Sequence, residues 1–299
     1  MKGKKRKSKS QKRRRNLRRK HPGRGVYIQT EYRIPNGRVI FTQKSISGRY
    51  GKRDRNRVRE KPTEESVKKW QDKRAELNCF LLLEANFNPG DYFMRLSWPP
   101  KTKKPAKEVR EDIKKWKKKL RAIFKKAGGE LKMIHSCGRG KRGATHLHAV
   151  INALVPAQVI EEAWQDVVGT EACPYPSTNT RTLDRSAYWP KLAEYLVKNG
   201  LETFRSEDPI YRARYVGTRN LVKPVKTTKV VEADGWMEKP KARTGYRVDY
   251  ERLYAGFGIT GFPHQSYCQV KLGIDGKVEI PGGTVSSEHA DSRRREVTS

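Results

Sequence analysis

His146-Leu147-His148 is the stretch of this chain whose residue types and spacing best suit chemistry. Six histidines occur in 299 residues, and two of them sit here, split by one leucine. In a strand, side chains alternate between faces, so positions i and i+2 point the same way. His146 and His148 then present two imidazoles side by side, while Leu147 faces a core. Thr145, Val150 and Ile151 are the β-branched flanks expected of such a strand. Two imidazoles on one strand face can hold a divalent metal ion.

A second group follows at Glu194-Tyr195-Leu196-Val197-Lys198. Tyr195 and Lys198 lie three apart, on one face of a helix. A tyrosine hydroxyl can act as a nucleophile and form a covalent intermediate. It needs an electrophile polarised by a cation, and a positive neighbour favours its phenolate. A metal on the histidine pair supplies the first and Lys198 the second. A tyrosine attacking a phosphodiester releases a 3′-hydroxyl and stays on the 5′-phosphate, with the metal as Lewis acid. Each feature has an ordinary reading when taken alone. Tyr195 shares helical spacing with Tyr188, Leu192 and Leu196, as a core aromatic would. A lone i, i+2 histidine pair is more often structural than catalytic. Their combination, in a chain of high positive charge, is what points to catalysis.

That charge is formally +35, from 67 Lys+Arg against 32 Asp+Glu. A field of this size points to a polyanion, with nucleic acid the default. No apolar run approaches a membrane-spanning length, and no apolar segment follows the basic N-terminus as in a signal peptide. A cytoplasmic protein is expected, with no membrane partner. Cys79, Cys137, Cys173 and Cys268 are scattered without a C-x-x-C pair, so they read as reduced thiols.

The elements that must position these residues follow from periodicity. Residues 1–25 read as a disordered basic tail, since the first acid is Glu31. Residues 26–77 form a polar N-terminal extension with a hairpin around Asn36-Gly37. Ordered structure is expected over 78–272, and 273–299 as a flexible tail. Within the ordered part, Cys79–Leu83 reads as a buried strand and Asn88-Pro89-Gly90-Asp91 as a turn. Tyr92–Trp98 alternates as a strand and stops at Pro99-Pro100. Val109, Ile113, Trp116, Leu120 and Ile123 define a helix over 106–127, ended by Gly128-Gly129. Strands are expected at 131–137 and 145–152, and helices at 156–168 and 188–199, the last closed by Gly200. Residues 172–183 read as a loop or edge segment, and 211–216 and 225–231 as strands. The pattern lacks βαβ alternation. It predicts an α+β fold, a central antiparallel β-sheet flanked by helices.

In this order and spacing the motifs resemble the HUH endonucleases, specifically the rolling-circle replication initiators of small bacterial plasmids and phages. His146-Leu147-His148 resembles that family's His-hydrophobic-His motif, and Tyr195-Leu196-Val197-Lys198 its nucleophile motif. Met94-Arg95-Leu96-Ser97-Trp98 sits where the family has an apolar first motif. Tyr215-Val216-Gly217-Thr218-Arg219-Asn220-Leu221 with Pro224 resembles a segment that follows the tyrosine helix in one branch. The resemblance implies that 78–272 is the catalytic domain, with the histidines on a central strand and the tyrosine helix packed over them. It implies a divalent metal, Mg²⁺ or Mn²⁺, and nicking of single-stranded DNA at a replication origin, leaving a 5′-phosphotyrosine link. Family members place a polar third ligand on the strand before the histidines. Here that stretch is Met133-Ile134-His135-Ser136-Cys137, and His135 is the candidate; otherwise water, Glu84 or Asp91 completes the shell. A single tyrosine fits the one-nucleophile type, with Tyr188 as a conceivable second. No G-x-x-x-x-G-K-[ST] occurs, so the initiator is expected to rely on a host helicase and replication machinery. Arg212, Arg214, Arg219 and Lys223 are the expected phosphate contacts. Relaxases and single-strand transposases share the chemistry, and a non-catalytic nucleic-acid-binding protein would share the charge.

Overall fold

The computed structural model describes residues 26–46, 61–100, 104–140, 144–233 and 235–273. The expected tails, apart from Gly273, lie outside them. The strands are β1 (Val26–Arg33), β2 (Val39–Ser45), β3 (Tyr92–Ser97), β4 (Met133–Arg139), β5 (Thr145–Ile151), β6 (Thr178–Thr182), β7 (Val216–Gly217), β8 (Val225–Glu232), β9 (Tyr246–Phe257) and β10 (Pro263–Lys271). The helices are α1 (Glu64–Asn86), α2 (Ala106–Lys126), α3 (Ala157–Val168) and α4 (Pro190–Phe204). The fold is α+β, with two five-stranded antiparallel sheets, ordered β6-β3-β5-β4-β7 and β8-β1-β2-β10-β9.

In the first of these sheets the two faces do different work. Leu147, Ala149 and Ile151 point to one side, with Met94 and Leu96 of β3 and Met133 and Cys137 of β4. They meet the apolar stripes of α2 (Val109, Ile113, Trp116, Leu120, Phe124) and α3 (Ile160, Ala163, Trp164). Three tryptophans lock the end of β3: Trp98 and Trp116 both lie edge-on to Trp164, at 4.8 and 5.2 Å between centroids. Trp164 Nε1 donates to the Ser97 carbonyl at 3.0 Å, and Trp98 Nε1 to Asp112 at 2.8 Å. Each ring pair adds about 0.5–1.5 kcal/mol beyond its buried area, so the strand beside the histidines has a fixed register.

The other face carries His146 and His148 and is half covered, by α1 and α4. Ile134, Val150, Leu196 and Val197 join Phe80, Leu81 and Leu83 in a second core. Across these helices lies the second sheet, contributing Ile34, Val39, Phe41 and Cys268 to the same cluster. Gly37 takes a positive φ of 75°, as the turn of the expected hairpin requires.

Four expectations change. Cys79–Leu83 is the buried end of helix α1, not a strand; a short apolar run cannot separate the two, and its lysine-rich first half simply faces solvent. α1 therefore runs through residue 78, and the N-terminal hairpin is no separate extension but pairs with β8 and β10. α4 continues through Gly200 to Phe204 because a glycine there lets the Arg214 carbonyl oxygen sit where any Cβ would stand. The strand expected at 211–216 reduces to Val216–Gly217.

Candidate functional site

The register of β5 decides which atoms meet. His148 lies opposite Arg95 of β3 and Ser136 of β4, and His146 opposite Ser97 and Gly138. All six therefore share one face. Two strand residues advance about 6.6 Å and four helical residues advance about 6 Å, so residues four apart on α4 can track the two histidines. They do: the Tyr195 hydroxyl lies 3.2 Å from His148 Nε2, and Asn199 Oδ1 lies 3.1 Å from His146 Nε2. The imidazoles themselves are edge-on, 4.9 Å between centroids.

Tyr195 is 45 % exposed, which a core aromatic would not be. Its ring stands edge-on to His148 and Phe93, at 5.0 and 5.9 Å, and Phe93 stacks on His148. These contacts hold the phenol upright at the border between the covered and open halves of the sheet. His148 is nearly fully buried, and burial, reinforced by His146 and Arg95, lowers its pKa to about 3. It is a neutral imidazole near pH 7, with a lone pair available to a metal ion or a proton. Its Nδ1, the Ser136 Oγ and the Asn199 Nδ2 are buried without hydrogen-bond partners.

The open half is the floor of a cleft of about 570 Å³. Phe93, Arg95 and Ser97 line it from β3, and Ser177, Asn179 and Arg181 from the edge at β6. His148 and Tyr195 form its inner wall. The cleft thus offers two guanidinium groups and several hydroxyl and amide groups beside the Tyr195 hydroxyl. That is the composition of a surface that holds a phosphate backbone.

Residues 91–200 match the model of a replication-associated protein family, the ORF2 type. The match opens at the residue before β3 and closes at Gly200 within α4. It spans the strands that carry His146, His148 and Arg95 and the helix that carries Tyr195. Its description is consistent with a replication initiator. No curated protein and no solved structure matches the chain.

Not every expected site residue joins this cluster. His135 pairs with Ala149, so it points to the opposite face of the sheet and cannot share an ion with His146 and His148. It is fully buried, its Nε2 is 3.5 Å from the Tyr211 hydroxyl, and burial with help from Lys117 depresses its pKa to about 3. The two carboxylates held in reserve are also committed elsewhere. Glu84 accepts the Trp189 N–H and faces Arg38, and Asp91 accepts the Asn88 and Ala153 N–H groups. Tyr188 donates to Asp249 of β9 at 2.6 Å, so its hydroxyl serves the second sheet. Lys198 is exposed on α4, one turn beyond Tyr195. Arg214 is clamped to Asp72 at 2.6 Å and stacked 4.5 Å over Phe204. Arg212, Arg219 and Lys223 are exposed, and none of them lines the cleft.

Sequence reasoning missed three contributors. Arg95 and Arg181 had a signal: Arg95 falls on the Ser97 face of an alternating strand, and Asn179 and Arg181 are an i, i+2 polar pair on an edge. Asn199 had one too, four residues after Tyr195. Among the described residues no group of three His, Cys, Asp or Glu side chains is close enough to share a metal. The donors that share the histidine face include the two imidazoles, the Asn199 amide and the Ser136 and Ser97 hydroxyls.

Proposed function

We propose that this chain initiates DNA replication by nicking single-stranded origin DNA with Tyr195. The single observation that carries this is the Tyr195 hydroxyl, exposed and 3.2 Å from His148 Nε2 at the rim of an arginine-bearing cleft. In the proposed reaction the single strand lies along the open half of the sheet, its phosphates against Arg95 and Arg181. The Tyr195 oxygen bonds to phosphorus and the bond from phosphorus to the 3′ oxygen breaks. The phenol proton passes to water, and the departing oxygen takes up a proton as the 3′-hydroxyl. The 5′-phosphate stays on Tyr195 as a diester. Lys198, one turn along, steadies a phosphate.

Two imidazoles and an amide oxygen fit a divalent cation, Mg²⁺ or Mn²⁺, whose remaining positions water and phosphate fill. Imidazole donors favour Mn²⁺ of the two. When bound, such an ion supplies positive charge to the phosphoryl oxygens. His146 and His148 would hold it, with Asn199 beside His146. The 3′-hydroxyl primes rolling-circle synthesis once a host helicase opens the template. The proposed setting is the cytoplasm. No helix among the described residues is long and apolar enough to cross a membrane.

The test is a denaturing gel. Protein, single-stranded origin DNA and Mn²⁺ should yield a covalent adduct and a free 3′-hydroxyl, both absent in Tyr195→Phe and both abolished by EDTA. Nicking by Tyr195→Phe at the wild-type rate would remove the nucleophile from this scheme. Binding with no cleavage by the wild-type chain would favour a pure binding protein.

A further inference from the structure

The outer face of the second sheet carries an open depression of about 620 Å³. Its walls are Tyr27, Lys44, Tyr267 and, from the β8–β9 connection, Trp236, Met237 and Lys241. The strand register explains the grouping. Lys44 lies between Gln29 and Gln265, and Tyr27 and Tyr267 are two residues along the neighbouring strands, so all face outward together. The connection crosses this face: Gln265 Nε2 donates to the Met237 and Glu238 carbonyls, and Arg243 pairs with Glu31 at 2.6 Å. Trp236 stands edge-on to Tyr27 at 5.2 Å.

Lys44 is the anomaly. It is only 8 % exposed, yet among the described residues no carboxylate pairs with it. Glu31, the acid on the same face, is already held by Arg33 and Arg243. The ammonium rests 5.3 Å from the Tyr267 ring centroid, and Lys229, across Gln29 on β8, adds a second positive charge. Next to it in the register, Gln265 Oε1 is buried with no hydrogen-bond partner. Burial and Lys229 both lower the Lys44 pKa. Lys44 is largely enclosed, its ammonium opens onto this face beside Tyr267, and no carboxylate among the described residues neutralises it, so an anion arriving there meets an available positive charge.

We propose that this depression is a second nucleotide-binding site, which takes a base against Trp236 and the adjoining phosphate against Lys44. Aromatic walls receive any base by stacking, and amines receive the phosphate, the pairing used by sequence-tolerant single-strand sites. The ligand is single-stranded DNA outside the cleft. The site rests on the proposed function only for that choice of ligand, and it needs neither Tyr195 nor a metal.

The experiment uses the full chain carrying Tyr195→Phe, in EDTA, with a twelve-nucleotide oligothymidylate bearing 5-iodouracil. Irradiation and peptide mass spectrometry should place adducts on peptides containing Trp236, Tyr27 or Tyr267. Trp236→Ala should weaken binding about 5-fold or more. Lys44→Met should flatten the salt dependence by about 0.7 in slope, because one phosphate contact is gone, while leaving the thermal midpoint nearly unchanged. Adducts confined to peptides containing Phe93, Arg181 or Tyr195 would overturn the proposal, as would wild-type affinity in both variants. Failure of nicking in the wild-type chain would touch the proposed function and leave this site standing.

Discussion

Gly138→Ala should cripple the site while leaving the fold nearly as stable as before. Gly138 sits opposite His146 on β4, under α4. A Cβ built there comes within 2.6 Å of His146 Nε2 and closer still to Asn199 Oδ1. Ordinary contacts begin near 3.4 Å, so the tips of both side chains must move by roughly an ångström. The backbone has no objection, since Gly138 lacks a positive φ. Alanine would narrow the unfolded ensemble, worth roughly 0.4–1 kcal/mol, against the loss of one hydrogen bond, worth about 0.5–1.5 kcal/mol. The two nearly offset, so the midpoint in urea should shift little. A misplacement of about 1 Å at a reacting centre costs on the order of 100-fold in rate. The assay is single-turnover adduct formation with origin DNA and Mn²⁺, read beside a urea melt of the same preparation. A rate within a few-fold of wild type would refute the reasoning, since the His146–Asn199 contact could then be dispensed with. A melt that collapses by several kcal/mol would refute it differently, by showing that Gly138 serves packing.

Further outcomes separate the cleft from the rest of the basic surface. Arg95→Ala with Arg181→Ala should lower the salt slope of single-strand binding by about 1.4, measured by anisotropy at several ionic strengths, and an unchanged slope would move the DNA elsewhere. Arg214→Ala should leave that slope alone but destabilise the chain by about 0.5–1.5 kcal/mol, since Asp72 loses one guanidinium partner and keeps Arg205; urea melts decide it. His135 stays neutral in the fold down to about pH 3, whereas the unfolded chain takes up its proton near the ordinary value of 6.5. Its contribution to stability is therefore complete above pH 6.5 and lost as pH falls toward 3, about 2 kcal/mol by pH 5. In His135→Leu the loss between pH 7 and 5 should be smaller by that amount, and an identical pH profile would show that another group carries it.

The site was legible where local rules govern. Alternation fixed β3 and β5, three- and four-residue spacing fixed α2 and α4, and the Asn36-Gly37 pair fixed the hairpin. What misled were questions of partnership. His135 looks like a ligand in sequence because it is a histidine on the next strand, but one residue of register puts it on the far face. The run Cys79–Leu83 looks like a strand because its burial is nearly continuous, though the helix that carries it starts at Thr63, whose hydroxyl accepts the Ser66 N–H. β9 and β10 escaped notice because β9 is largely exposed and β10 buries amides: Gln265 Nε2 and Gln269 Oε1 bond to the β8–β9 connection, which no local pattern announces. Arginines expected on the DNA were chosen by proximity to a motif, whereas the sheet order brings β6 to the cleft and leaves β7 at the opposite edge.

The strand order has a consequence for synthesis. β1 pairs with β8, and Thr30 meets Thr228 across 198 residues of sequence. The hairpin β1–β2 is marginal on its own, and both of its outer neighbours are made last. Every element that touches His146, His148 or Tyr195 lies between those two halves. The proposed nicking face is thus an insertion, in sequence, between strands of the other sheet. As the chain leaves the ribosome, Tyr195 can meet His148 well before the depression at Lys44 has walls. The residues of the proposed chemistry are made first, and the sheet proposed to hold a second stretch of strand is completed afterwards.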